Sequence, residues 1–322
     1  MLMSLQETAK TIESGRYLII AGDEKLLSSL PKGNWIGGTT PYFMAPEGGK
    51  ITRGQLFVHD LTDWVLGAAI KSYELDDLPN INEDAPDQGF SVLIIPSGSP
   101  AHIAYAQDEP NYAGSFMKPV VGWISGVHLD DLGKVSPKVF SGLTGNGSDK
   151  NAIAMHCRID TSKTATVNII NLFTQGSGDT IMFEENGFSV KDCLINGERR
   201  NFAEYLNENK IDTSHPLVAD YSGAMVNVSF QGINEADGIV NLYAPVFIGI
   251  EYKIADSVDN YVEAFKKALP QGASPIFSCN CILNFLYSKL EGQVVEKMYG
   301  PVTFGEIAYQ LVNQTLVYLE IE

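Results

Sequence analysis

The sequence predicts an α+β fold, built mainly from antiparallel sheets with a minority of covering helices, in two closely associated halves. Three observations predict it. Short β-branched segments bounded by Gly, Pro, Asn and Asp dominate the chain. Turn chemistry that reverses the chain joins several of them. Helical periodicity is confined to a few places, and such helices scattered among antiparallel strands give an α+β chain. With 322 residues the chain is about twice the usual domain length, so two domains or one large one are expected. A soft boundary near residue 196 gives halves 1–195 and 196–322.

In chain order, the first element is a helix at the N-terminus, where Ser4 and Glu7 match the reciprocal capping pattern. Strands follow at Arg16–Ala21, Phe90–Pro96, Val120–Ser125, Ala165–Thr174 and Thr315–Ile321. Between them, residues 74–89 hold six carboxylates, two prolines and no base, which reads as a solvated acidic loop. It lacks the Gly and terminal Glu of a calcium loop. The turns Gln175–Asp179, Asn186-Gly187 and Asn196-Gly197 suit hairpins, because Asn-Gly takes positive φ at little steric cost. Helices are expected at 202–209, at 257–269 with Asp256 as cap, and at 281–290. A last helix is expected at 303–311, where Thr303 and Glu306 form a second capping box.

Composition narrows the class of function. Hydrophobic residues make up 44% and charged residues 19%, enough apolar mass for a full core. Lys and Arg number 22 against 39 Asp and Glu, a net charge of −17. Such a chain repels phosphate backbones and anionic lipid, which argues against nucleic acid and membrane partners. No apolar run approaches the roughly 18 residues of a membrane span, and the N-terminus has no signal-peptide pattern. A cytoplasmic protein with reduced thiols is expected. Four Cys, at 157, 193, 279 and 281, contain no CxxC pair, and the five His are scattered. No metal or cofactor signature emerges.

Four constellations carry some chemistry. Ile36-Gly37-Gly38-Thr39-Thr40 follows a short strand; two glycines allow close backbone approach, and two threonines offer hydroxyls and amides. Its ordinary reading is a strand ending in a turn. Pro96-Ser97-Gly98-Ser99-Pro100-Ala101-His102 sets a hydroxyl near an imidazole, but no nucleophile elbow is present, and a βα turn capped by Ser97 or Ser99 explains it. Cys279 falls where a strand meets a helix, the place for a stabilised thiolate, or simply for a small apolar residue. Glu306 is explained by its capping box. No P-loop pattern occurs.

The C-terminal segments Ser278-Cys279-Asn280-Cys281, Gly300-Pro301-Val302-Thr303-Phe304-Gly305-Glu306-Ile307 and Asn313-Gln314-Thr315 resemble the C-terminal half of FIST sensory domains. The turn Ile195-Asn196-Gly197 and the segment Phe202–Leu206 look like that family's entry into its C-terminal part, and Trp35–Thr40 is similar to its G-x-S/T-T segment. Pro41-Tyr42-Phe43-Met44 and the run Cys279–Phe285 depart from the pattern, so the chain reads as a divergent, stand-alone relative. The resemblance implies a small-molecule sensor without enzymatic activity, signalling through a separate protein. Its pocket would lie where the two halves meet, with Gly37, Gly38, Thr39, Thr40 and Cys279 near the ligand, an amino acid or small carboxylate. The competing readings are a hydrolase or transferase using Cys279 as nucleophile, and a haem or metal sensor using His102 or His156.

Overall fold

In the computed structural model, which describes every residue except 222 and 271, apolar β-branched runs become strands wherever both faces can be buried. The strands Leu18–Gly22, Gly89–Pro96 and Val120–Ser125 are buried along their whole length. The residues divide into two compact units. One comprises Met1–Ile170, Lys266–Leu311 and Thr315–Glu322; the other comprises Asn171–Phe265 and Val312–Gln314. Residue 196 lies inside the second unit, in the turn joining Asp192–Ile195 to Glu198–Asn201. The soft boundary of the sequence therefore does not coincide with the division into units.

Three sheets build the first unit. In one, Leu18–Gly22 pairs in parallel with Trp35–Thr39 and antiparallel with Leu56–Asp60. In the next, Gly89–Pro96 pairs in parallel with Val120–Ser125 and antiparallel with Ala152–Arg158, while Val120–Ser125 pairs antiparallel with Glu306–Ala308. The third joins Phe277–Cys281 to Gly300–Thr303 in parallel and to Leu316–Ile321 antiparallel. Gly38 on the first sheet faces Ile94, Trp123 and Ser125 on the second, so the two sheets stack. A Cβ at position 38 would lie 2.7 Å from Ile94 Cγ2, and only glycine permits this approach.

Helices Leu5–Glu13 and Glu24–Leu27 pack against the first sheet, and Pro100–Asp108 packs against Gly89–Pro96 of the second. Helix Leu5–Glu13 starts with the expected capping box, and its Ile12 packs with Leu18, Ile20, Leu27, Trp35 and Val58. Helix Pro100–Asp108 is capped by Ser99, as the ordinary reading of that turn expects. In the second unit, helix Phe202–Glu208 is capped by Asn201. Among the described residues no helix is long and apolar enough to cross a membrane.

The mainly antiparallel α+β architecture agrees with the sequence. Several details differ from it. Of the three expected turns, Asn196-Gly197 closes a two-residue hairpin, with φ of 51° and 88°. The strand after Asn186 pairs instead with Ile239–Val246, and Ala165–Ile170 pairs with Leu316–Ile321. The segment expected to be an acidic loop is ordered as a 3-10 helix, Leu75–Asn80, and a short helix, Ile81–Asp84. Its Leu78, Ile81 and Ala85 are buried, so apolar anchors override the carboxylates. The helix near 260 spans Tyr261–Ala268 and is capped by Asn260 rather than Asp256, whose amide is held by the Thr174 carbonyl. Helix Ile282–Tyr287 is shorter than expected. Residues 303–311 form no helix. They enter the strands Gly300–Thr303, Glu306–Ala308 and Gln310–Val312, where most side chains are buried and none is exposed, which a surface helix does not allow.

Candidate functional site

Three strands of the first unit, Leu18–Gly22, Trp35–Thr39 and Val120–Ser125, end beside one another. In α/β sheets the crevice beyond such carboxyl ends is where ligands bind. A cleft of about 40 Å³ opens there, lined by Gly22, Asp23, Thr39, Thr40, Gly126 and His128 among others. That is room for about three water-sized groups. The site lies wholly in the first unit, not where residues 1–195 meet 196–322.

Most of the polar groups that the sequence offered for a ligand are already committed. The Thr39 amide donates to the Lys138 carbonyl, and the Thr39 hydroxyl accepts from the Lys138 amide at 2.9 Å, which leaves its own proton for the cleft. The Thr40 amide donates to Gly22, and its hydroxyl donates to the Val302 carbonyl at 2.7 Å. Thr40 is therefore structural. Gly37 and Gly38 do not line the cleft. They are contact positions, since a Cβ on Gly37 would lie 2.9 Å from the Ile20 carbonyl oxygen. His128 is the residue the sequence did not single out. It stacks on Tyr42 with ring centroids 5.7 Å apart, and its Nδ1 accepts from the Asp130 amide. That bond assigns the proton to Nε2, leaving a second donor at the cleft.

Cys279 lies in the strand Phe277–Cys281, not at a helix N-terminus. It is buried, and its thiol donates to the Gly122 carbonyl at 3.3 Å. Burial and then the neighbouring Glu306 carboxyl push the thiol well above its ordinary range. A thiolate nucleophile is disfavoured here; the small apolar reading of this residue fits.

The two histidines of the metal reading are also engaged. His156 Nδ1 meets Ser91 Oγ at 2.7 Å and its Nε2 meets Tyr73 Oη at 2.7 Å, while Tyr73 donates to Asp84. Burial lowers the imidazole to about 4, so it is neutral and both ring nitrogens are occupied. His102 Nδ1 accepts from the Gly98 amide, and burial likewise lowers that ring to about 4. Among the described residues no three metal-ligating side chains come together.

Glu306 forms a different kind of site. Its carboxyl is fully buried, and Oε2 accepts from the Thr315 hydroxyl at 2.8 Å and the Thr315 amide at 3.3 Å. Thr303 Oγ1 stands 3.2 Å from both Glu306 Oε1 and the Asn280 carbonyl, two acceptors for one hydroxyl proton. A protonated Glu306 resolves the conflict by donating into Thr303 Oγ1. Burial raises the carboxyl to about 8, partly opposed by the Thr315 and Thr303 bonds. The capping box that the sequence suggested for Thr303 and Glu306 is thus replaced by a buried network. Three residues that carry the FIST-like resemblance, Thr303, Glu306 and Thr315, meet in it.

Residues 3–322 match the model of a family of unknown function, DUF6976, and the chain belongs to that family. No curated protein matches it.

Two outcomes follow from this geometry. Cys279 should resist alkylation near neutral pH in the native protein and label only on unfolding, as peptide mapping would show; rapid native labelling would contradict its burial. Glu306 has a folded pKa near 8 against an ordinary 4.5, so the native state binds the extra proton between those values. Its contribution is full below pH 4.5 and is lost as pH rises through about 8. The melting temperature of the wild type relative to Glu306→Gln should therefore fall from about pH 5 to about pH 9, whereas a flat difference would contradict the shift. Glu306→Ala should cost about 3 kcal/mol, since it leaves a cavity and unpaired threonine groups.

Proposed function

We propose that this protein is a cytoplasmic small-molecule sensor of the FIST kind, which binds a small polar ligand and reports it to a separate protein. The observation that carries the reading is the cleft at the three strand ends, to which Thr39 and His128 each bring a hydrogen-bond donor. Thr39 belongs to the segment that resembles FIST domains, which ties the cleft to that resemblance. The position beyond the carboxyl ends of parallel strands also suits ligand binding. The buried state of Cys279 supports binding over thiol catalysis. A net charge of −17 favours a signalling partner with a basic surface.

Thermal-shift measurements across amino acids, small carboxylates and the corresponding amides test the reading. At least one compound should raise the melting temperature in a concentration-dependent way. The double variant Thr39→Val, His128→Ala should weaken that effect about tenfold or more, the loss expected for two hydrogen bonds. No stabilisation by any compound in the panel would contradict it.

A further inference from the structure

The chain holds three Asn-Gly pairs, at 146–147, 186–187 and 196–197. In such a pair the glycine amide nitrogen can close a five-membered ring on the asparagine side-chain carbon, because no Cβ shields that nitrogen. The reaction requires an asparagine side chain free to rotate and a glycine nitrogen open to base. Two pairs fail this requirement. Asn196 Oδ1 accepts from the Thr180 amide at 3.0 Å, and its Nδ2 donates to Asp179 at 2.7 Å. Asn186 Oδ1 accepts from the Ile248 amide at 2.7 Å, and Gly187 is buried.

Asn146 and Gly147 meet it. Both are exposed, and among the described residues the Asn146 side chain makes no hydrogen bond. Their strand, Asn146–Ser148, is the last of its sheet and pairs with Val139–Ser141. Residues of an antiparallel strand turn their backbone groups alternately to one side and the other. The Gly142 amide donates to Trp35 and the Lys138 carbonyl accepts from Thr39, so Phe140, midway between them, also turns toward Trp35–Thr39. Gly147 stands opposite Phe140, so its N–H takes no part in the ladder and points off the sheet edge. Packing holds glycine at this position, since a Cβ would lie 2.7 Å from Phe140 Cε1.

We infer that Asn146 is a site of spontaneous modification, deamidating through a cyclic imide while the fold protects Asn186 and Asn196. Base removes the Gly147 amide proton, and the nitrogen bonds Asn146 Cγ. The Cγ–Nδ2 bond then breaks, and the nitrogen leaves as ammonia with the returned proton. Water opens the ring to aspartate or to its isomer, in which the backbone runs through the side-chain carbon. Either product adds a negative charge. The isomer also lengthens the strand that pairs with Val139–Ser141, next to the Lys138 that holds Thr39 at the cleft.

The test ages the wild type in mildly alkaline buffer made with heavy-oxygen water and follows label uptake at each site by peptide mapping. Label should enter at Asn146 about tenfold or more faster than at Asn186 and Asn196, the factor expected for breaking the bonds that hold them. Uptake at Asn146 should rise with pH, as the loss of an amide proton requires. In urea the three rates should converge, because the protection of the other two sites belongs to the fold. Asn146→Gln, whose ring would have six members, should lose the label and keep the melting temperature, since the side chain it replaces is exposed and unbonded. Native uptake at Asn186 or Asn196 that equals or exceeds uptake at Asn146 overturns the assignment. Rates that stay apart in urea overturn it too, because the fold would not be what separates the sites. A lower melting temperature in Asn146→Gln would mean that the Asn146 side chain has a structural partner, and also overturns it.

Discussion

A carboxyl group in an apolar interior is tolerable only if it is neutral or paired, and the packing around Glu306 depends on its being neutral. The strand Glu306–Ala308 lies beside Val120–Ser125, while the Glu306 side chain bonds Thr303 and Thr315, which border two strands of another sheet. One acidic group thus ties the middle of the first unit together. Ionising it would strand a charge with threonine donors and no cation, at a cost of several kcal/mol. Burial pushes the nearby Cys279 thiol well above its ordinary range, and the Glu306 carboxyl adds to this only when ionised. Burial holds Cys279, His102 and His156, the residues that look most chemical in the sequence, in their neutral forms.

What the sequence made legible was local. Ser4 with Glu7, Ser99 before Pro100, and the Asn196-Gly197 turn all act within a few residues, and all appear as expected. Thr303 and Glu306 repeat the spacing of Ser4 and Glu7 but not the outcome. Ser4 and Glu7 cap a helix at the surface, whereas Thr303 and Glu306 are buried and bond partners 23 and 9 residues away. Spacing alone cannot separate these cases, because the difference is set by burial from distant strands. The segment 74–89 misleads for the mirror reason. Its carboxylates face outward while Leu78, Ile81 and Ala85 anchor it.

The candidate site was legible in part. Thr39 and Thr40 reach the cleft, but pairing with Lys138, Gly22 and Val302 decides which of their groups remain for a ligand. Gly126 and His128 lie nearly ninety positions from Thr39 in sequence, and they line the cleft with it because the first two sheets stack through Gly38. Gly38 was visible as a place for close approach. What approaches it is not a ligand backbone but the second sheet.

The most direct measurement of the central claim is the protonation state of Glu306 itself, read as the infrared difference between wild type and Glu306→Gln. The account predicts a protonated-carboxyl C=O band at neutral pH that disappears as pH rises through about 8. A carboxylate band at neutral pH, with no protonated component, would contradict it.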